Sequence, residues 1–297
     1  MNLSFRLFTL PKAGNTTNEN EDSFACDVEA TRRCLHVLDC QTADLCVIAN
    51  RPVRIAVTDG ATESSFSDVW AKLIARAFCR PTDLGPGPSH SDGDDIEILR
   101  RQSAGLFDHA ARVWNHRLRN RRLPWYAEQK KEMGAFTAFI GLRVCPARAP
   151  QQHGTWEALA AGDACLFHFR SGSLRRAFPI EHHESFSNNP YLLSSKGPME
   201  SSLVSASGEW QPGDEFALAS DALACWLLHA VSLGEDVAAL LRRLRPVHAH
   251  HAAAPGCATR PARRRVPSAR RQHECASGTD ARHCARRAVG AAAVHSW

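Results

Sequence analysis

Residues 53–64 read VRIAVTDGATES, a string of β-branched and small apolar side chains running straight into Asp59 and Gly60. A carboxylate at the exit of a buried strand is held rigidly at the rim of a core. Asp-Gly is also a common turn dipeptide, so the pair alone reads first as punctuation. The pattern recurs, however. EALAAGDACLFHF (157–169) carries Asp163 after a small-residue strand, and EFALASDALACWLL (215–228) carries Asp221 between a strand and an apolar helix-like run. NENEDSFACD (18–27) places Glu21 and Asp22 directly before a short apolar segment. Four acidic loci at strand ends are candidates to converge in space. Converging carboxylates repel unless something positive lies among them, and hard oxygen donors suit Mg²⁺, Mn²⁺ or Ca²⁺.

The elements that would position these residues follow from hydrophobic periodicity. LSFRLFTL (3–10) alternates as an edge strand does, and LHVLDC, LCVIAN and VRIAVTD read as strands separated by polar turns. SDVWAKLIARAF (67–78) switches to helical spacing, with Val69, Leu73, Ile74 and Ala77 on one face and Ser67 as the predicted N-cap. A loop rich in Gly, Pro and Asp spans 81–95, a second helix 96–118, and a shorter helical piece WYAEQKKE. GAFTAFIGLRV (134–144) returns to strand, and two further strands flank the turn Arg170–Ser173. This order predicts an α+β fold in which packed sheets carry helices outside.

Composition sets limits. The chain has 297 residues, 44% hydrophobic and 23% charged, as an ordinary globular protein does. No run approaches the roughly 20 apolar residues of a membrane span. The start, MNLSFRLFTLPKAG, lacks the features of a secretory signal, which predicts a cytoplasmic protein with its eleven cysteines mostly reduced. No C-x-x-C pair supports a zinc ribbon. The net charge of +5 comes from residues 246–297, where nine arginines face only Glu274 and Asp280. The first 245 residues hold 27 basic and 29 acidic side chains, which argues against a nucleic-acid-binding face.

Residues 1–245 therefore read as one domain and 246–297 as a tail. The tail has no Leu, Ile, Phe, Met, Tyr or Lys, so it is expected to stay without fixed structure. It reads as a basic binding segment, as a metal tract using Cys257, His273, Cys275, His283 and Cys284, or as out-of-frame translation. The abrupt loss of large aliphatic residues favours the last. Elsewhere, His182-His183 with Glu181 and Glu184 reads as a solvated turn before a metal site. Trp114, Trp125 and Trp156 read as core anchors, Ser194-Ser195-Lys196 as a loop without a third catalytic partner, and Gly85-Pro86-Gly87 as a loop without a phosphate-binding lysine.

The order of NEDSF (20–24), AVTDG (56–60), GAFTAFIGL (134–142), ALAAGDACLFHFRSGSL (158–174) and FALASDALACWLL (216–228) resembles the metal-dependent type 2C serine/threonine protein phosphatases. The resemblance covers roughly residues 3–245 and implies a four-layer αββα sandwich with two Mn²⁺ or Mg²⁺ ions at one edge. By the same resemblance, Asp59 would bridge the ions and the Gly60 carbonyl would add a ligand. Asp221 would hold one ion, Glu21 the other, and Asp22 with Asp163 a third, weaker one. Two cations about 3.5–4 Å apart activate a bridging water without any nucleophilic side chain.

This chain departs from the family at four places, the mildest being Ser-Asp-Ala at 220–222 for the family's Ser-Asp-Gly. Thr17 stands where the family has a phosphate-gripping arginine, and Lys12 substitutes for it only if the loop folds back. DGATE replaces Asp-Gly-His-Gly-Gly. The family's last metal-binding aspartate, before a closing apolar strand, has no match, since Asp280 in SGTDARHC precedes no β-branched strand. Two functions remain open: hydrolysis of phosphoserine or phosphothreonine in a protein substrate, with a cognate serine/threonine kinase as partner, or an impaired phosphatase-like module that binds a kinase or phosphoprotein.

Overall fold

The computed structural model describes residues 1–10, 21–27, 42–61, 64, 66–80, 92–119, 125–147, 153–187, 189–243 and 289–296. The strands are β1 (Asn2–Leu10), β2 (Asp22–Cys26), β3 (Thr42–Ile48), β4 (Val53–Gly60), β5 (Phe136–Cys145), β6 (Gly154–Ala161), β7 (Cys165–Arg170), β8 (Ser173–Phe178), β9 (Leu193–Ser194), β10 (Val204–Trp210), β11 (Glu215–Ala219) and β12 (Val289–Ser296). The helices are α1 (Ser67–Cys79), α2 (Asp92–Arg119), α3 (Trp125–Met133), α4 (Asp221–Ser232) and α5 (Val237–Arg243). The predicted strand LHVLDC and the loop at 85–87 lie outside the described residues, as do Lys12, Thr17 and Asp280.

One antiparallel sheet runs β3-β1-β12-β11-β7-β8 and the other β10-β6-β5-β4-β2, with β9 against the start of β5. Strand alternation divides the apolar residues among three cores. Between the sheets lie Ile55, Val57, Ile140, Leu142 and Trp156 from one side, and Leu166, Phe216 and Leu218 from the other. The opposite faces of β4, β5 and β6 present Ala56, Phe139 and Leu159 to α1 and α2, where Phe139 meets Phe78 and Phe107 edge-on at 5.4 and 5.1 Å. The opposite faces of β7 and β11 present Phe167, Phe169, Ala217 and Ala219 to α4 and α5. The result is the αββα layering, α+β in class. Among the described residues no helix is long and apolar enough to cross a membrane.

Three local expectations are corrected. Helix α1 buries Trp70, Ile74 and Phe78, while Val69, Leu73 and Ala77 sit at the margin of the same core. The aromatic side chains win the inward positions because they bury more area each. Ser67 does not cap α1: Phe66 does, in the left-handed conformation (φ 62°), and Ser67 is the buried first residue of the helix. Strand β1 is interior, because β12 pairs with it from Leu3↔Ser296 to Leu10↔Val289.

That pairing also corrects the reading of the tail as wholly unstructured. Val289–Ser296 takes the central position between β1 and β11. The stretch VGAAAVHS contains no acidic or basic residue apart from His295 and has two β-branched valines, which a strand closed on both edges tolerates.

A buried polar group inside the sandwich went unnoticed in the sequence. The His168 ring lies between the sheets, stacked on Phe216 at 4.5 Å, with Nε2 2.8 Å from the Asp214 carboxylate. Arg170 donates twice to the same carboxylate at 2.8 Å and the Gln211 N–H donates at 3.0 Å. Burial pushes the Asp214 carboxyl up, but Arg170, the Gln211 backbone and His168 bring it below its ordinary value. Burial lowers His168 below its ordinary 6.5 despite the opposing pull of Asp214.

Two predictions follow from this architecture. Ala292 pairs with Leu7 on one side and Leu218 on the other, so Ala292→Pro deletes a donor from a strand that has no free edge. Thermal denaturation of the variant should show a melting temperature lowered by several degrees, and an unchanged value would remove β12 from the sheet. For His168, the unfolded chain binds the proton more readily than the fold does, so the contribution is present above 6.5 and lost as pH falls below that towards the lower folded-state value. Melting temperatures between pH 7.5 and 5.5 should therefore fall less in His168→Phe than in the parent.

Candidate metal centre

Strand β4 delivers Asp59 to the end of the sandwich and its neighbours fix the backbone there. The Thr137 hydroxyl donates to the Asp59 carbonyl at 2.8 Å, and the Ala61 N–H donates to the Phe136 carbonyl at 3.0 Å. Gly60 is glycine because α1 begins against it: an added Cβ would lie 3.0 Å from the carbonyl carbon, the Cβ and the oxygen of Ser67. The Ser67 hydroxyl, freed from capping, donates to Glu21 Oε1 at 2.8 Å, and the Gly60 N–H reaches the Glu21 carbonyl at 3.4 Å. Asp22 is the register partner of Asp59, which puts both on one face of the sheet.

Asp163 comes from the turn between β6 and β7. Gly162 precedes it with φ +86°, a conformation that L side chains rarely adopt, and an added Cβ would lie 2.9 Å from Leu192 and 3.1 Å from Ala138 of β5. Asp221 opens α4, where the helix dipole favours a carboxylate.

Asp59, Gly60, Asp163 and Asp221 line one open cleft of about 1250 Å³. Three aspartates are its charged lining among the described residues, with no Lys, Arg or His beside them. The Asp163 carboxyl responds: burial, and then the charge of Asp221, raise it to about 6. Glu21 and Asp22 do not line this cleft; they join it through β4 and Ser67.

Among the described residues no three His, Cys, Asp or Glu side chains close tightly enough to cage one ion. The arrangement is an open rim of hard oxygen donors. It fits a hydrated Mg²⁺ or Mn²⁺, which keeps waters in several coordination positions, and it does not fit a soft metal.

The remaining sequence candidates resolve simply. Glu181 and His182 lead into a short 3-10 helix at His183–Ser185, with His183 Nε2 3.3 Å from Glu184 and its ring 4.8 Å from that of His229. Trp114 and Trp156 are buried; the side chain of Trp125 is outside the described residues. Ser194 belongs to β9, Ser195 is buried and exchanges bonds with Ala135, and the Lys196 ammonium donates to the Glu132 carbonyl, so this trio clamps two segments. Sequence reasoning missed residues 187–202, which supply about half of the cleft lining. The stretch SFSNNPYLLSSKGPMESS carries only the signature of a loop.

A sequence profile of the protein phosphatase 2C family matches residues 31–254. Among curated proteins no significant match is found. Among solved structures, the serine/threonine phosphatase of S. agalactiae is similar at 11% identity, with 99% of this chain and 100% of that one covered and a TM-score of 0.54. The Mycobacterium tuberculosis serine/threonine phosphatase PstP/Ppp is similar at 12% identity, covering 100% and 99%, with a TM-score of 0.51. The catalytic domain of the phosphatase PstP, solved with two manganese ions, is similar at 15% identity, covering 99% and 98%, with a TM-score of 0.50. At such identities the likeness is one of fold.

The crowding at Gly60 gives a prediction. Gly60→Ala forces α1 away from β4 by a few tenths of an ångström, with a stability loss of about 1–3 kcal/mol. Urea denaturation should show the lower midpoint, and an unaltered midpoint would mean that Ser67 is not in contact.

Proposed function

The chain belongs to the protein phosphatase 2C family, and from that premise we propose that it hydrolyses phosphoserine or phosphothreonine in protein substrates at the cleft bounded by Asp59, Asp163 and Asp221. The observation that carries this reading is the gathering of three aspartates from β4, the β6–β7 turn and α4 on one rim, without a cationic side chain among the described lining residues. Hard oxygen donors gathered on an open rim suit divalent cations.

In this reading Asp59 and the Gly60 carbonyl would hold two Mn²⁺ or Mg²⁺ ions, with Asp221 as a further ligand for one and Glu21 for the other. Asp22 and Asp163 would take a third, weaker ion. The ions, when bound, supply an activated water and neutralise phosphate charge. The chain's own residues do the positioning. Thr137 fixes the Asp59 backbone, Ser67 orients the Glu21 carboxylate, and the two sheets keep the aspartates from drifting apart under their repulsion. A serine/threonine kinase that phosphorylates the same substrates is the natural functional counterpart.

The test is hydrolysis of a phosphothreonine peptide with Mn²⁺ in the roughly millimolar range, the concentration an open rim with few protein ligands requires. Asp59→Asn should reduce kcat by about two orders of magnitude or more, because it removes both a charge and a ligand at the centre of the site. Activity that survives Asp59→Asn, or that is indifferent to chelation, would contradict the assignment.

A further inference from the structure

The cleft that gathers the aspartates has a second wall of different character. Among the described residues the exposed large apolar side chains are Met133, Tyr191, Val204 and Leu233, and two of them, Met133 (59% exposed) and Tyr191 (86% exposed), line this one cleft. Pro190, Leu192 and Pro198 continue the wall. Its backbone is tied down from several sides. The Trp70 indole N–H donates to the Leu193 carbonyl at 3.0 Å. The Ser195 N–H donates to the Ala135 carbonyl at 2.8 Å, and the Ala135 N–H donates to the Ser195 hydroxyl at 2.9 Å. The Lys196 ammonium donates to the Glu132 carbonyl at 2.5 Å. These bonds join the segment carrying Tyr191 to the end of the helix carrying Met133. Large apolar side chains exposed on a fixed backbone mark a recognition surface, since little ordering entropy is left to lose when a partner arrives.

Electrostatics selects the partner. An acidic residue beside the phosphorylated one would lose hydration against Pro190, Tyr191, Leu192 and Pro198, with no cationic side chain among the described lining residues to pair it. An apolar residue in the same place meets Tyr191 and Met133. We infer, on the footing of the phosphatase reading above, that the substrate is a protein segment with an aromatic or long aliphatic side chain next to its phosphoserine or phosphothreonine, and that Tyr191 and Met133 are the residues that select it.

Three substrates separate this inference from the reading it rests on: p-nitrophenyl phosphate, which has no residue flanking its phosphate, and a phosphothreonine peptide flanked by leucine or by glutamate. The parent should favour the leucine-flanked over the glutamate-flanked peptide by about tenfold in kcat/KM, chiefly through KM. Tyr191→Ala should shrink that preference severalfold, and Leu233→Ala, at an exposed apolar residue outside the cleft, should leave it alone. A preference untouched in the Met133→Ala, Tyr191→Ala double variant overturns the inference, while continued hydrolysis of p-nitrophenyl phosphate keeps the phosphatase reading. Fluorescence anisotropy of the two labelled peptides reads recognition without turnover. Tighter binding of the leucine-flanked peptide, lost in Tyr191→Ala, upholds the wall even in a chain that hydrolyses nothing; equal binding of both peptides overturns it.

Discussion

Like charges on one rim repel, so a protein that keeps Asp59, Asp163 and Asp221 around a single cleft needs each carboxylate anchored in a separate rigid element. The αββα sandwich provides those anchors. Asp59 ends a strand whose residues are almost all buried. Asp163 sits in the turn from β6 of one sheet to β7 of the other, after a positive-φ glycine, and Asp221 starts a helix packed on the outer face of the sheet that holds β7. None of the three can retreat without moving a core. Burial first, and the charge of Asp221 second, raise the Asp163 carboxyl accordingly.

The sandwich in turn depends on close approach. Small residues let the helices reach the sheets, and Gly60 is the clearest instance, since a Cβ there would lie 3.0 Å from Ser67 at the start of α1. The same contact releases Ser67 to bond Glu21. One glycine thus links helix packing to the acidic rim. On the far side, β12 joins β1 to β11, so the sheet that carries β11 and the start of α4 depends on residues more than sixty positions downstream.

Much of this was legible in the sequence, and the reasons are local. Buried strands such as AVTDG and ALAAGD announce themselves through β-branched and small residues followed by Gly-Asp or Asp-Gly, so the elements and the three aspartates of the cleft could be read directly. What failed was either non-local or a competition between similar side chains. The interior place of β1 depends on a distant strand with no large aliphatic residue, and hydropathy gave that strand no signal. The face of α1 turned on Trp70 and Phe78 outbidding Val69 and Leu73 for the same core. The His168–Asp214–Arg170 group and the Tyr191 wall join residues from separate elements, and no spacing rule connects them.

The central claim is that the aspartate rim exists to bind divalent cations. The most direct measurement is anomalous diffraction from crystals of the whole chain grown with Mn²⁺. The account predicts manganese in the cleft, in contact with the Asp59 carboxylate. Crystals at millimolar Mn²⁺ with no ion touching Asp59, or with manganese bound only elsewhere on the chain, would contradict it.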